Sequence, residues 1–493
     1  MKQSILQKIR LLSNGLALIK ITDLPKFIPI GLMMFLILLS QNIVRVIKDS
    51  IVSINIGPEA ISFIKLYLEM PFGILFCIIY TKMCNRMTTE KVFRIIFIFF
   101  ICLFLTFIFL IIPNQEYFHP NPLYIKELII AYPYFRWFLE MYSKWSYVLF
   151  YVSGELYPMI VLTLLFWHLA NKITSSQEAA RMYPFIGLIG HSNMLFCSKI
   201  IIFFTAPNFL FNLFSGEQEL ISIKLLIIVA IFCILIVLGL HLYIEKKIMH
   251  NIDNIKTKIK EKLSLSVKES INVIFKSKYL GLISILTISY SMSINLIEGI
   301  WMSKTKQLYP SSIEFMQYQG NILFYTGCNT LFVAFIANYT IRKFGWKVAA
   351  LSTPIAILIG GSIFYTAIFT EEYLYMIGVS SSLAFIVFMG GLQNIIGKGV
   401  KYSLFDDTKE MSYIPLNSEL KTKGKAAVDI IGGKVGKSSG AIIQFIAFTI
   451  YPYATYDDII IPLFIIFLTI CLVWIFSVIK LSKAYQEKLK EEI

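Results

Sequence analysis

The stretch FRIIFIFFICLFLTFIFLIIP, residues 93–113, decides the fold class of this chain. It is long enough to cross the roughly 30 Å hydrocarbon layer of a bilayer as a helix. Comparable stretches recur from one end of the sequence to the other. We therefore predict about twelve membrane helices, near residues 27-47, 60-80, 93-113, 147-171, 182-206, 221-244, 279-301, 320-338, 348-369, 373-396, 427-451 and 459-481.

The composition agrees with a chain that lies mostly in lipid. Of its 493 residues, 57% are hydrophobic and 15% are charged, which is too apolar for a soluble domain. The hydrophobic stretches are continuously apolar rather than alternating, as expected for helices and not for the strands of a barrel. The sequence thus predicts an all-α polytopic membrane protein.

The net charge of +15 is distributed unevenly among the loops. The amino terminus and the segment 245-278 are rich in lysine and arginine, whereas the loops at 207-220 and 452-458 are poor in both. Positively charged loops face the cytoplasm, so both termini and segment 245-278 are predicted to be cytoplasmic. This pattern argues against nucleic-acid binding. The full-length hydrophobic stretch behind the basic start argues against a cleavable signal peptide.

Six predicted spans lie on each side of the basic segment. The predicted parts are a cytoplasmic amino terminus, a six-helix bundle, a cytoplasmic linker, a second six-helix bundle and a cytoplasmic tail, at 1-26, 27-244, 245-278, 279-481 and 482-493. A 6+6 arrangement is typical of transporters that bind substrate between two halves. A channel or a membrane enzyme with twelve spans is also compatible with the count.

Charged residues inside the spans are the candidate functional residues, since each costs about 2.5 to 3.5 kcal/mol to insert. In the first span, Arg45, Lys48 and Asp49 share one helical face. These side chains either contribute to a substrate site or extend to the membrane surface. Because they lie near the end of the span, their position alone leaves both interpretations open.

Two carboxylates lie deeper. Glu155 is about two turns inside the fourth span, where Pro158 can leave a backbone carbonyl without its helical partner. Glu298 lies in the seventh span, one turn after Asn295. Each carboxylate could balance a substrate-binding lysine, contact a polar substrate or carry a proton. A structural ion pair is the alternative for Glu298.

The eleventh span carries two lysines among glycines. If its helix begins near Lys425, Lys434 and Lys437 lie about 9 and 12 residues along it, or roughly 14 to 18 Å. A cation at that depth suits a phosphate or carboxylate ligand. The stretch GGKVGKSSG resembles a phosphate-binding P-loop, but Ile431 stands where that pattern needs glycine and no strand precedes it. We therefore expect no ATP hydrolysis.

The sequence indicates no metal site, disulfide, cofactor or catalytic residue. Its seven cysteines are scattered without paired spacing. His168 and His191 could relay protons, but single histidines in membrane helices more often form hydrogen bonds between helices. We expect no enzyme activity.

Six segments carry a resemblance to a known family: IKDSI (47-51), EAISFIKLYLEMP (59-71), GELYPMIVLTLLFWHLANKIT (154-174), SMSINLIEGIWMSKTKQLYP (291-310), KYSLFDDTKEMSYIPL (401-416) and KTKGKAAVDIIGGKVGKSSG (421-440). In these segments the chain resembles the ATP/ADP translocases, the nucleotide transporters of obligate intracellular bacteria and plastids. The resemblance implies a major-facilitator-like fold in the inner membrane of such a bacterium. It also implies counter-exchange of nucleoside triphosphates and diphosphates.

The resemblance assigns substrate-binding roles to four residues, Lys48, Glu155, Glu298 and Lys437. It implies that the two lysines bind the phosphates and that the two carboxylates offset their charge. Arg45, Asp49, Asn295 and Lys434 are predicted to support them.

The chain departs from the family pattern beside two of these residues. It reads RVIKD where the family usually has RDTKD, and ELYPM where the family usually has ELWGS. The base therefore stays open among adenine, guanine and the pyrimidines.

Two other classes stay open. One is a proton-coupled symporter of the same fold for nucleotides or other organic anions, and the other is a non-transporting membrane protein that has kept the fold. The expected partners are a nucleotide and the lipid bilayer, without nucleic acid. The sequence does not fix the oligomeric state and is compatible with a monomer.

Overall fold

The computed structural model describes residues 24–174, 176–207, 217–249, 277–376, 381–416 and 424–491. The predicted amino-terminal segment 1-26 and linker 245-278 lie largely outside these ranges. Within them the chain is helical, without strands. The all-α prediction is confirmed.

We number the long helices in chain order. They are α1 Leu24–Asn55, α2 Ala60–Arg86, α3 Thr89–Phe118, α4 Trp145–Ile173, α5 Ser176–Thr205, α6 Gln218–Ile248, α7 Lys278–Leu308, α8 and α9 as the two parts of Ser312–Phe369 before and after Gly345, α10 Ser382–Ser412, α11 Lys425–Ile450 and α12 Ile460–Glu491. Eleven helices in the described residues are long and apolar enough to cross a membrane. The remaining predicted span, 427-451, lies on α11, whose continuous helix includes the apolar residues Ser438–Ile450. Short helices Pro122–Ala131 and Arg136–Ser143 lie between α3 and α4.

Local sequence explains where several helices break or change. The helical stretch Ser312–Phe369 is interrupted at Gly345, whose φ of 78° lies in the left-handed region that favours glycine. Pro158 lies inside α4, and the π-helical segment Val161–Phe166 follows it. Of the other π-helical segments in the described residues, Lys65–Glu69 lies inside α2. Such segments often occur at functional sites.

Contacts divide the chain into two compact units. The first unit comprises the described residues of Met1–Arg45, Phe76–Pro113 and Ser153–Ile259, and the second comprises those of Val46–Leu75, Asn114–Val152 and Lys260–Ile493. One boundary, between residues 259 and 260, falls in segment 245-278, and the other four fall within α1, α2, α3 and α4. The division into two six-helix halves therefore stays a prediction.

Buried polar contacts and aromatic packing hold the first unit together. The Asn42 amide of α1 donates to Asn193 Oδ1 of α5 at 2.8 Å. The Tyr157 hydroxyl of α4 and the Ser40 hydroxyl of α1 are 2.8 Å apart. The Tyr157 ring packs edge-on against Phe100 of α3, with ring centroids 5.1 Å apart. These contacts join α1, α3, α4 and α5.

In the second unit, the start of α2 packs against helices from the carboxy-terminal part of the chain. Phe63 and Tyr67 lie against Phe445 of α11, with ring centroids 4.9 and 5.3 Å apart. Phe138 of the short helix Arg136–Ser143 packs edge-on against the same two rings of α2. This aromatic cluster joins α2, the short helix and α11.

Glycines bring α7 and α11 close together. A side chain at Gly436 would place its Cβ 2.7 Å from Ser291 Cβ and 3.1 Å from Ile288 Cα. A side chain at Gly440 would place its Cβ 2.8 Å from Asn295 Cβ. Small residues allow this approach in membrane helices. The backbone that carries Lys437 is therefore packed directly against α7.

Candidate functional site

Lys48 lies in the second unit and is buried, with 2% of its side chain exposed. Its ammonium is 2.5 Å from Asp49 Oδ1 and 3.8 Å from the centre of the Tyr151 ring of α4. A carboxylate and an aromatic face both stabilise a buried cation. A lysine that extended to the membrane surface would have an exposed ammonium. The burial therefore argues against a lysine that extends to the membrane surface, and the substrate-binding role of Lys48 and Asp49 stays a prediction.

Glu298 lies on α7 in the same unit. It is half-buried and interacts with at least one other group. The neighbouring residue Gly299 packs against Tyr456 so closely that a Cβ there would overlap the hydroxyl. The carboxylate thus lies next to a fully packed contact between α7 and the start of the last helical segment.

A chain of hydrogen bonds continues from Tyr456. Its hydroxyl donates to Gln444 Oε1 at 3.1 Å, and the Gln444 amide donates to the Asn295 carbonyl oxygen at 3.1 Å. The Asn295 side-chain amide donates to the Ser291 carbonyl oxygen at 2.9 Å. These bonds hold Asn295, which lies one helical turn before Glu298. Both residues were predicted to act together, and both lie on α7 at this network.

Lys65 joins this network and was not among the predicted site residues. Its ammonium donates to Asn295 Oδ1 at 2.8 Å. Lys65 lies in the second predicted span and within the segment EAISFIKLYLEMP that carries the family resemblance. The criterion applied to other charged residues inside spans would have identified it.

The side chains of Lys434 and Lys437 lie outside the described residues. Their backbone is part of α11, which the structure describes as a continuous helix from Lys425 to Ile450. The predicted helical position of both lysines is confirmed. Their roles stay predictions.

Glu155 and Arg45 lie in the first unit. Both are half-buried, and each interacts with at least one other group. Residues two apart on a helix do not face each other, and Tyr157 indeed points away from Glu155 into the packing with Ser40 and Phe100. Of the three residues that replace the family pattern here, Pro158 and Met159 are the ones that can share the face of Glu155.

A second polar cluster in the first unit was also not predicted. Glu90 Oε1 at the start of α3 is 2.6 Å from the Lys172 ammonium at the end of α4. The buried His241 ring of α6 stacks on Phe93, with centroids 4.0 Å apart. His168 joins these residues around a small cavity. Because the cluster links the ends of three helices, we interpret it as structural.

Comparison with solved structures identifies the fold. The chain is similar to a bacterial homologue of the iron transporter ferroportin in an inward-facing state, with a TM-score of 0.59 and 12% identity over 94% of this chain and 100% of that one. It is also similar to the inward-open xylose transporter XylE from E. coli, with a TM-score of 0.54 and 9% identity over 93% and 96% of the chains. These similarities confirm a major-facilitator-like fold.

Comparison with sequences identifies the family. The chain is 42% identical to ADP,ATP carrier protein 3 of Rickettsia bellii, over 95% of this chain and 96% of that protein. It is 39% identical to ADP,ATP carrier protein 1 of the same organism, over 94% and 93% of the two chains. A family model described as TLC ATP/ADP transporter matches residues 3–485. This multi-pass membrane protein therefore belongs to the TLC ATP/ADP transporter family.

Proposed function

We propose that the protein exchanges nucleoside triphosphates for diphosphates across the bacterial inner membrane by alternating access. The observation that carries this proposal is the family match over residues 3–485. The names of the relatives, ADP,ATP carrier proteins, supply the substrate class. The positively charged segments support cytoplasmic termini and two six-helix halves, 27-244 and 279-481.

In the proposed mechanism, Lys48 and Lys437 bind phosphate oxygens as point charges. Asp49 holds Lys48 in place, and Glu155 and Glu298 offset the positive charge of the site when the nucleotide leaves. An exchanger requires the loaded carrier to cross its barrier more easily than the unloaded one. Carboxylates in the site fit this requirement, because they compete with the phosphates of the nucleotide for the same lysine ammonium groups. Arg45, Asn295 and Lys434 support these residues.

The residues that depart from the family pattern are relevant to the base preference of the transporter. Val46 and Ile47 are buried, and Tyr157 packs inside the first unit. Pro158 and Met159 are half-buried on the face that Glu155 can share. We therefore propose that Pro158 and Met159, rather than Val46, Ile47 or Tyr157, influence the choice among adenine, guanine and the pyrimidines.

The test is uptake of labelled ATP, GTP, CTP and UTP into intact bacterial cells that express the protein. We expect saturable uptake of at least one nucleotide and its release when unlabelled nucleotide is added outside. Lys437→Gln should lower this uptake about 10- to 100-fold, the cost of one hydrogen bond to a charged group. Lys82→Gln, which changes an exposed lysine at the end of α2, serves as the matched control.

Three results would contradict parts of the proposal. Uptake that an uncoupler abolishes, without need for internal nucleotide, would indicate proton-coupled symport. No uptake of any nucleotide, with folded protein in the membrane, would remove the transport function. Equal uptake by Lys437→Gln and the wild type would mean that Lys437 is not part of the substrate site.

A further inference from the structure

Lys65 is a cation inside a predicted membrane span. It lies in α2 directly after the buried residues Phe63 and Ile64, and its own side chain is half-buried. It is also the first residue of the π-helical segment Lys65–Glu69. Both a charge in a span and a π-helical turn are features that proteins keep mainly where they have a function.

Lys65 differs in its partner from Lys48, Lys172 and Lys304. Lys48, Lys172 and Lys304 each lie within 3.2 Å of a carboxylate oxygen. In the part of the chain that the structure describes, Lys65 instead donates to the neutral side-chain oxygen of Asn295. An ammonium has three N–H donors, and hydrogen bonds to charged acceptors are about twice as strong as those to neutral ones. An anionic ligand is therefore the stronger partner for Lys65.

The position of Lys65 relates it to the predicted transport site. Asn295, which accepts its hydrogen bond, is one turn from Glu298 and is held by bonds to Ser291 and Gln444. Gly440 of α11 packs against the same asparagine. The lysine thus contacts the face of α7 that carries one predicted site residue and that packs against the helix of Lys437.

We propose that Lys65 is a third phosphate-binding residue of the transport site and that its ammonium exchanges the Asn295 oxygen for a phosphate oxygen of the nucleotide. This inference rests on the proposed nucleotide transport. It assigns Lys65 to the polyphosphate chain, so the residue discriminates nucleoside di- and triphosphates from nucleosides. Because the Lys65–Asn295 bond links α2 to α7, its exchange for phosphate also couples nucleotide binding to the loss of a contact between these helices.

The test is equilibrium binding of labelled ATP and labelled GTP to the purified full-length protein, with inorganic tripolyphosphate and the matching nucleoside as competitors. We expect Lys65→Gln to weaken binding of the triphosphates and of tripolyphosphate by about 10- to 100-fold, with unchanged competition by the nucleoside. Lys65→Arg should keep most of the affinity. Lys82→Gln, at an exposed lysine of the same helix, should bind as the wild type does.

The variant Asn295→Ala distinguishes a phosphate-binding role of Lys65 from a purely structural role of the Lys65–Asn295 bond. If Asn295 only holds the ammonium, this variant keeps or improves triphosphate affinity. If the bond matters only as a link between α2 and α7, Asn295→Ala and Lys65→Gln lose affinity alike, for nucleoside and triphosphate equally, and the inference is overturned. Lys65→Met provides a second neutral variant of similar length should Lys65→Gln fail to fold.

The remaining outcomes are also decisive. Unchanged triphosphate affinity in a folded Lys65→Gln or Lys65→Met protein would overturn the role of Lys65 and leave nucleotide transport intact. If the wild-type protein bound neither triphosphate, the proposed function itself would fail, whatever the variants do.

Discussion

At the scale of single residues, Gly436 shows how the absence of a side chain positions the site. The residue lies against the backbone of α7, where a Cβ would come 3.1 Å from Ile288 Cα. Backbone cannot move aside as a flexible side chain can, so any larger residue must separate the two helices. The backbone of Lys437, the next residue, therefore depends on this packing for its closeness to α7.

We expect Gly436→Ala to destabilise the protein by about 1 to 3 kcal/mol, the usual cost of overpacking. The control is Gly239→Ala in α6, where a Cβ would have no neighbour within 4 Å. That change should be neutral or slightly stabilising, because alanine restricts the unfolded chain more than glycine does. Thermal unfolding of both purified variants measures the difference. Equal melting temperatures would contradict the close approach of α7 and α11.

At the scale of helices, polar pairs fix how the apolar segments meet. Lipid offers helices no hydrophobic reason to associate, so hydrogen bonds and close packing decide which faces touch. Asn42 and Asn193 form such a pair between α1 and α5, and both are buried. Removing one partner leaves a polar group buried without its hydrogen bond.

We expect Asn42→Leu and Asn193→Leu each to destabilise the protein by about 0.5 to 2 kcal/mol. The double variant should cost less than the sum of the two, because no amide is then left without its partner across the interface. Equilibrium unfolding of the wild type, both single variants and the double variant completes the cycle. Strictly additive costs would mean that the two amides do not interact.

At the scale of the whole molecule, the second unit joins chain segments from both predicted halves. Its amino-terminal parts are Val46–Leu75 and Asn114–Val152. Phe63 of the first part packs against α11, and Lys65 contacts α7. Alternating access requires such a contact to open and close during transport.

Glu59, between α1 and α2, lies in this contact with 7% of its surface exposed. Burial raises the pKa of its carboxyl above the ordinary value of 4.5, and the charges of Lys306 and Arg136 oppose the shift in part. A raised pKa means that the folded protein holds the proton more tightly than the unfolded chain does. The contribution of Glu59 to stability is therefore greatest at low pH and is lost as the pH rises through the raised pKa.

We accordingly expect the melting temperature of the wild type to fall relative to that of Glu59→Gln as the pH rises from about 4.5 towards 8. The glutamine keeps the size of the side chain without a titrating proton. Glu127→Gln, at an exposed position of helix Pro122–Ala131, controls for a general effect of removing a carboxylate. A constant difference between wild type and Glu59→Gln across this range would contradict the buried carboxyl.

The sequence by itself determined the features that depend on local composition. Apolar stretches long enough to cross lipid, such as residues 93–113, predicted the all-helical fold because backbone groups in lipid must be paired within the segment. Charges inside those stretches identified Lys48 and Glu298 as candidates, because their insertion is costly wherever they lie.

Only the tertiary structure decided which of these groups meet. It placed the Lys48 ammonium over the Tyr151 ring, turned Tyr157 away from Glu155, and brought Lys65 to Asn295, 230 residues further along the chain. Hydropathy does not specify which helix faces touch, because a lipid tail and an apolar neighbour are nearly equivalent surroundings for a leucine. That choice depends on hydrogen bonds and on the close approach at Gly436 and Gly440, which exist only once the helices are assembled.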